Sequence, residues 1–155
     1  MLYLNTPARY RRAVERFRQA ATKAGRDAAR LPVSLLIPTF IHDHLPTARQ
    51  AAREFLVQYA RWPHYAKTFA ASGHAAAMER VAAAYRAGDL STAVAALDDA
   101  LLDEVVLLGS PSRIREGIER FARAGVEWIT LGPQAVATDS LARQAERMIA
   151  VLAPR

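Results

Sequence analysis

The chain is 155 residues long, 52% hydrophobic and 23% charged, and carries a net charge of +6 from 21 Lys or Arg against 15 Asp or Glu. That is the make-up of one globular domain over residues 1–155, not of a disordered segment. It has no cysteine, which excludes disulfides, thiolate catalysis and sulfur-ligated zinc or iron. No apolar run approaches the roughly 20 residues that cross a bilayer, and the amino terminus lacks the basic-then-apolar order of a signal peptide, so the expectation is a cytoplasmic protein off the membrane.

The first four residues after the initiator, Leu2-Tyr3-Leu4-Asn5, are apolar and β-tolerant and read as a short strand. Thr6-Pro7 then opens a helix, with Thr as the cap and Pro at the first helical position, where its missing N–H costs nothing. Tyr10, Val14, Phe17, Ala21 and Ala24 recur at helical spacing as one stripe, and Gly25 stops the helix. Pro32 to Ile41 is a nearly continuous apolar run, the pattern of a strand buried on both faces of a parallel sheet. Pro38 cannot donate to a ladder, so pairing is expected to finish near Ile37, with Thr39 to Asp43 bending out of the sheet.

Residues 47–88 read as helical almost throughout, with a break at Trp62-Pro63, a short helix ending near Gly73 and a third ending at Gly88. Residues 91–108 also read as helix, closed by Gly109. Ser110-Pro111 repeats the cap of Thr6-Pro7 and opens a helix with Ile114, Ile118 and Phe121 on its core face. Residues 126–131 form a strand ending at Gly132-Pro133, and a last helix carries Leu141, Ala145, Met148, Ile149 and Leu152. The order is a run of βα units, which makes the fold class α/β.

Two composition features invite a functional reading. Nineteen of the basic residues are arginine, and Arg9, Arg11, Arg12, Arg16 and Arg18 cluster on the first helix. They alternate with acidic residues and fall away from the apolar stripe, which suits a solvated face better than a nucleic-acid footprint. No nucleic-acid recognition motif accompanies them. Asp98, Asp99, Asp103 and Glu104 place carboxylates at helical spacing, again read as a solvated face. No glycine-rich phosphate loop, Ser-His-Asp spacing or H-E-x-x-H occurs.

The stretch from Gly109-Ser110-Pro111-Ser112-Arg113-Ile114 through Ala124-Gly125-Val126-Glu127-Trp128-Ile129-Thr130-Leu131 resembles the carboxyl-terminal end of the luciferase-like monooxygenase family. Trp62-Pro63-His64-Tyr65-Ala66 resembles the helical insertion of its deazaflavin-dependent members, and Ala24-Gly25-Arg26-Asp27 their turn before a strand. The resemblance covers nearly the whole chain and implies a partial (β/α)8 TIM barrel of about three βα units, with a helical insertion after the second strand. A complete barrel takes about 250 residues, so the expectation is a truncated chain holding the last three-eighths of one. By the same resemblance it is an oxidoreductase of monooxygenase type using a deazaflavin (coenzyme F420) or FMN, acting on a small molecule.

In such barrels the reacting groups sit on loops at the carboxyl ends of strands. The resemblance therefore places the cofactor-facing candidates at Asn5, Thr39, His42, Gly132 and Pro133. No catalytic residue is singled out. His42 and His44 flank Asp43 and could begin a metal site, but two nitrogens fall short of the three or four protein ligands that zinc takes, so no metal is expected. His42 reads either as a solvated loop residue or as one facing substrate. Trp128 reads as wall packing, and Gly132-Pro133 as a turn or as a place where a ring approaches the backbone. The isolated chain is expected to lack the full cofactor site. The competing reading is a non-catalytic partial-barrel module that self-associates or complements a partner chain, because three parallel strands leave open edges and a half-exposed apolar face.

Overall fold

The computed structural model describes residues 3–153. Helix α1 (Pro7–Lys23) starts where the sequence says it should: Thr6 Oγ1 accepts a hydrogen bond from the Arg9 N–H at 3.4 Å, and Pro7 fills the first position. Tyr10, Val14 and Ala21 are buried, whereas Phe17 stands exposed. Strand β1 (Ser34–Ile41) is the centre of a three-stranded sheet in the order β2-β1-β3. Both partners, β2 (Leu107–Gly109) and β3 (Trp128–Pro133), run parallel to it.

Two expectations about strands are corrected. Leu2 lies outside the described residues, and Tyr3 to Asn5 form no strand; Leu4 turns through a φ of 54° and buries in the core. The third strand comes instead from residues 107–109, of which the sequence assigned 107–108 to a helix and Gly109 to its end. Val105 to Leu108 is a continuous apolar run that serves a buried helix or a buried strand equally well, and three residues are too few for periodicity to choose.

Pro38 does not end the pairing, because β1 continues against β3 as far as Thr39 opposite Pro133. Carbonyls of odd-numbered β1 residues face β3: Val33 accepts from Trp128 and Thr39 accepts from Gln134. Alternation turns the position of Pro38 toward the β2 side, and β2 reaches only Thr39 to Ile41. The missing N–H thus falls where no strand pairs, the one setting a sheet tolerates.

The sheet separates two cores. On one face Leu35, Ile37, Ile41 and Leu107 pack under α1, α7 (Pro111–Arg123) and α8 (Leu141–Leu152), against Tyr10, Ile114, Phe121 and Met148. The Ser110 cap of α7 is in place, and Gly117 leaves room for Leu107, whose Cδ2 would have to shift to admit a Cβ there. On the other face Phe40 and Leu108 meet a helical layer of α2 (Leu45–Ala60), α3 (Pro63–Phe69), α4 (Ala75–Arg86), α5 (Leu90–Ala95) and α6 (Asp99–Val105). A π-helical turn at Ala70–His74, with Gly73 at φ 105°, joins α3 to α4. Below this layer the same face is open: Ser34, Leu36, Trp128 and Thr130 are exposed. Burial on both faces therefore holds only for the second half of β1.

Candidate functional site

The carboxyl ends of the strands converge. Thr39 and Pro133 are register partners, and the Gln134 N–H donates to the Thr39 carbonyl at 3.0 Å. Thr39 is fully buried, its hydroxyl donating to the Ile37 carbonyl at 3.0 Å. Gly132 lies opposite Pro38, and a Cβ there would press on Leu36 Cδ1 at 3.2 Å. The His42 N–H donates to the Gly109 carbonyl at 3.0 Å, which draws the loop after β1 to the end of β2. His42 Nδ1 lies 3.1 Å from the His44 N–H and 3.3 Å from the His44 carbonyl, which holds the ring against its own loop.

The loop is pinned from α8. Arg147 pairs with Asp43 at 2.6 Å, and the Ile41 N–H donates to Gln144 Oε1 at 3.2 Å. Gln144 is fully buried, and its Nε2 donates to Asp139 at 3.4 Å. It satisfies a strand-end donor that has no ladder partner, as a buried N–H requires. Sequence reasoning passed over Gln144; the available signal was an amide between Leu141 and Met148 on a helix that otherwise faces the sheet.

Four of the five candidates, Thr39, His42, Gly132 and Pro133, are therefore brought to one end of the sheet. Asn5 is held in a different set of contacts. Its Oδ1 accepts from Arg9 Nε at 2.8 Å and its Nδ2 donates to the Tyr3 carbonyl at 3.1 Å. Thr6, next to it, lines a groove of about 640 Å³ with Arg12, Ser72, Glu104 and Arg120. A second groove of about 530 Å³ runs along β3 and takes in Pro133. Neither groove includes Thr39, His42 or Gly132. With the Thr39 hydroxyl engaged on its own backbone and no ring-sized enclosure around His42, these residues do not by themselves fit a flavin or deazaflavin. Among the described residues no group of three or more His, Asp or Glu could hold a metal ion.

Beside the strand ends lies an aromatic relay. Phe40 meets Phe55 at 5.6 Å, Phe55 meets Tyr59 at 5.0 Å, Tyr59 meets Tyr65 at 5.3 Å, and Tyr65 meets Phe69 at 6.2 Å. Tyr3 joins through Tyr59 at 5.7 Å. Burial, and then the neighbouring phenol of Tyr59, raise the ionisation of Tyr3 and Tyr65 above the ordinary tyrosine value. Trp62 stays outside the relay, exposed beneath the Arg61 guanidinium.

The acidic cluster is half-exposed, as a solvated face would be, but it is also paired. Arg49 bridges Asp99 at 2.7 Å and Asp103 at 2.9 Å, Arg113 reaches Asp103 at 2.7 Å, and Arg53 also pairs with Asp99. Asp98 caps α6 through the Leu101 N–H at 2.8 Å. His74, 8% exposed, stands between Asp98 at 3.4 Å and Glu104 at 3.3 Å. The carboxylates thus bind α2, α6, α7 and the π turn together.

No helix among the described residues is long and apolar enough to cross a membrane. No curated protein matches the chain. Among solved structures, the coenzyme F420-dependent tetrahydromethanopterin reductase from Methanopyrus kandleri has a similar fold, with a TM-score of 0.73 and 20% identity over 92% of this chain and 41% of that one. The chain thus spans about two fifths of the reductase's length. The luciferase-like monooxygenase pattern matches residues 1–127, most of the sequence, and the chain belongs to that family.

Proposed function

We propose that this chain supplies part of a luciferase-like oxidoreductase, with a deazaflavin as the preferred cofactor and FMN as the other choice. The observation that carries the reading is the side-by-side placement of Thr39 to His44 and Gly132 to Gln134 at one end of a parallel sheet, the end where barrels of this type hold their chemistry. The bound ring would supply the hydride or electron-pair transfer, and the protein would hold and polarise it. His42 offers its Nε2 as a polar contact from a loop fixed at Asp43 and His44. Pro133 and Gly132 offer a wall without side-chain polar groups. The naming of the structural neighbour as F420-dependent favours the deazaflavin.

Because the described residues enclose no ring, the cofactor site needs groups beyond these strands, consistent with a chain holding a share of a barrel. The isolated chain is then expected to bind neither cofactor tightly and to turn over no substrate. Titration of purified chain with FMN and with the deazaflavin, followed by fluorescence, tests this. A sub-micromolar affinity for either would show a complete site and overturn the proposal.

A further inference from the structure

The last donor of β1 is satisfied by a side chain and not by a strand. The β3 ladder ends where the Gln134 N–H donates to the Thr39 carbonyl, and the next donor on that side of β1 is the Ile41 N–H. Gln144 Oε1 accepts from it at 3.2 Å, reaching in from α8. The Nε2 of the same amide donates to Asp139 Oδ2 at 3.4 Å. A backbone N–H only donates and a carboxylate only accepts, so the two partners fix which end of the amide points where. Gln144 is fully buried. An ionised Glu in its place would offer acceptors to both partners, and a Met would serve neither.

Asp139 closes a tight turn with Val136, the two exchanging backbone bonds at 2.9 and 3.3 Å across Ala137 at φ 52°. A non-glycine residue persists in that left-handed region where its surroundings over-determine it. Here the turn is held at both ends. Val136, between exposed neighbours, is buried in the core of the helical layer, and Asp139 is held by Gln144. The loop after β3 therefore arches over the carboxyl end of β1, and Gln144 joins the far end of the arch to the residue before His42.

We propose that Gln144 is a positioning residue of this strand end: its amide ties the loop after β1 to the loop after β3 and so sets where His42 stands relative to Gly132 and Pro133. Arg147, three residues further along α8, holds Asp43 at 2.6 Å, but the Asp43 side chain is 73% exposed. Such a pair contributes little and yields to salt, which leaves the buried amide as the tie that salt does not screen. That the tied residues form a cofactor site rests on the oxidoreductase reading; the tie itself does not.

Amide hydrogen exchange and the imidazole NMR signals of His42, read on the full chain without cofactor, test it. Gln144→Met removes both bonds at similar volume. Exchange at Ile41 should then speed up about tenfold or more, and the His42 signals should shift while the indole signal of Trp128, at the other end of β3, stays. Gln144→Glu keeps the acceptor for Ile41 but sets a carboxylate against Asp139, so the Asp139 amide should exchange faster at neutral pH. Adding Asp139→Asn returns a donor from the other side of the pair. Exchange at positions 41 and 139 should then come back to within about twofold of native, with the His42 signals at their native positions, a rescue that a space-filling role for Gln144 would not give. Circular dichroism of each variant confirms that it folds, and if Gln144→Met does not, Gln144→Glu and its rescue decide. Native exchange at Ile41 or unmoved His42 signals in a folded Gln144→Met would overturn the proposal. So would native exchange at Asp139 in Gln144→Glu, or a double variant that is unfolded or as loose as Gln144→Glu alone. No cofactor enters these measurements, so a sub-micromolar affinity in the FMN or deazaflavin titration would overturn the reading of an incomplete site and leave the tie standing.

Discussion

The two faces of the sheet are finished to different degrees. At the carboxyl end of the strands the Phe40 face is sealed by five helices, an aromatic relay and an ion-pair network, and its core residues Phe69, Leu101 and Leu102 are fully buried. The opposite face has a smaller core that thins toward β3, where Ile118, Ile129 and Leu131 are only partly covered. Stability is therefore concentrated in the helical layer, while the β3 side keeps apolar surface exposed. A chain can thus be well packed around its candidate site and still be unfinished at its edge.

The largest expected effect separates the two regions directly. Phe69→Ala should cost about 3–5 kcal/mol in urea unfolding, the loss for a fully buried phenylalanine, while Leu131→Ala on the half-covered strand β3 should cost under ~1.5 kcal/mol. Equal losses would break the comparison. Asp103→Ala leaves Arg49 and Arg113 without their shared carboxylate, with Arg49 Nε already lacking a partner. Partial solvent access reduces the effect to about 1–2 kcal/mol, and it should shrink as salt is added.

A third test uses pH. Burial raises the ionisation of Tyr3 on the helical side and of Tyr10 on the other. A phenol whose folded value exceeds its unfolded value contributes stability that is fully present below the ordinary pKa of 10.0 and is lost as pH rises beyond it. Tm should therefore hold up to about pH 10 and fall above it, with the change in Tyr absorbance coinciding with unfolding. Tyr10→Phe should flatten that fall. The smallest effect belongs to Ile149→Ala, which should move the monomer by less than ~0.5 kcal/mol in thermal unfolding because the side chain is already in water.

Local signals were legible where one residue type has one physical use. Thr6 and Ser110 before proline gave two helix starts, and helical spacing gave Ile114 and Phe121 in the core. The parallel pairing of the strand after Gly125 with β1 also follows from the βα order. What escaped depends on partners far along the chain. Leu107 becomes a strand residue because β1 lies beside it, and Asp99 and Asp103 become half-exposed anchors because Arg49, some fifty residues earlier, reaches them. Gln144 belongs with the site only because Ile41 runs past its ladder. Thr39, His42, Gly132 and Pro133 were nameable from strand ends; the separate setting of Asn5 was not, because it follows from the left-handed turn at Leu4.

Pro38 limits how the chain can assemble. On the side of β1 away from β3, the short strand β2 is buried and covers only the last three residues, and below it Pro38 presents no donor. A further segment approaching β1 on that bare side would find no N–H at Pro38 to bond to. The feature that first reads as a defect in a central strand would thus act as a guard against mispairing along it.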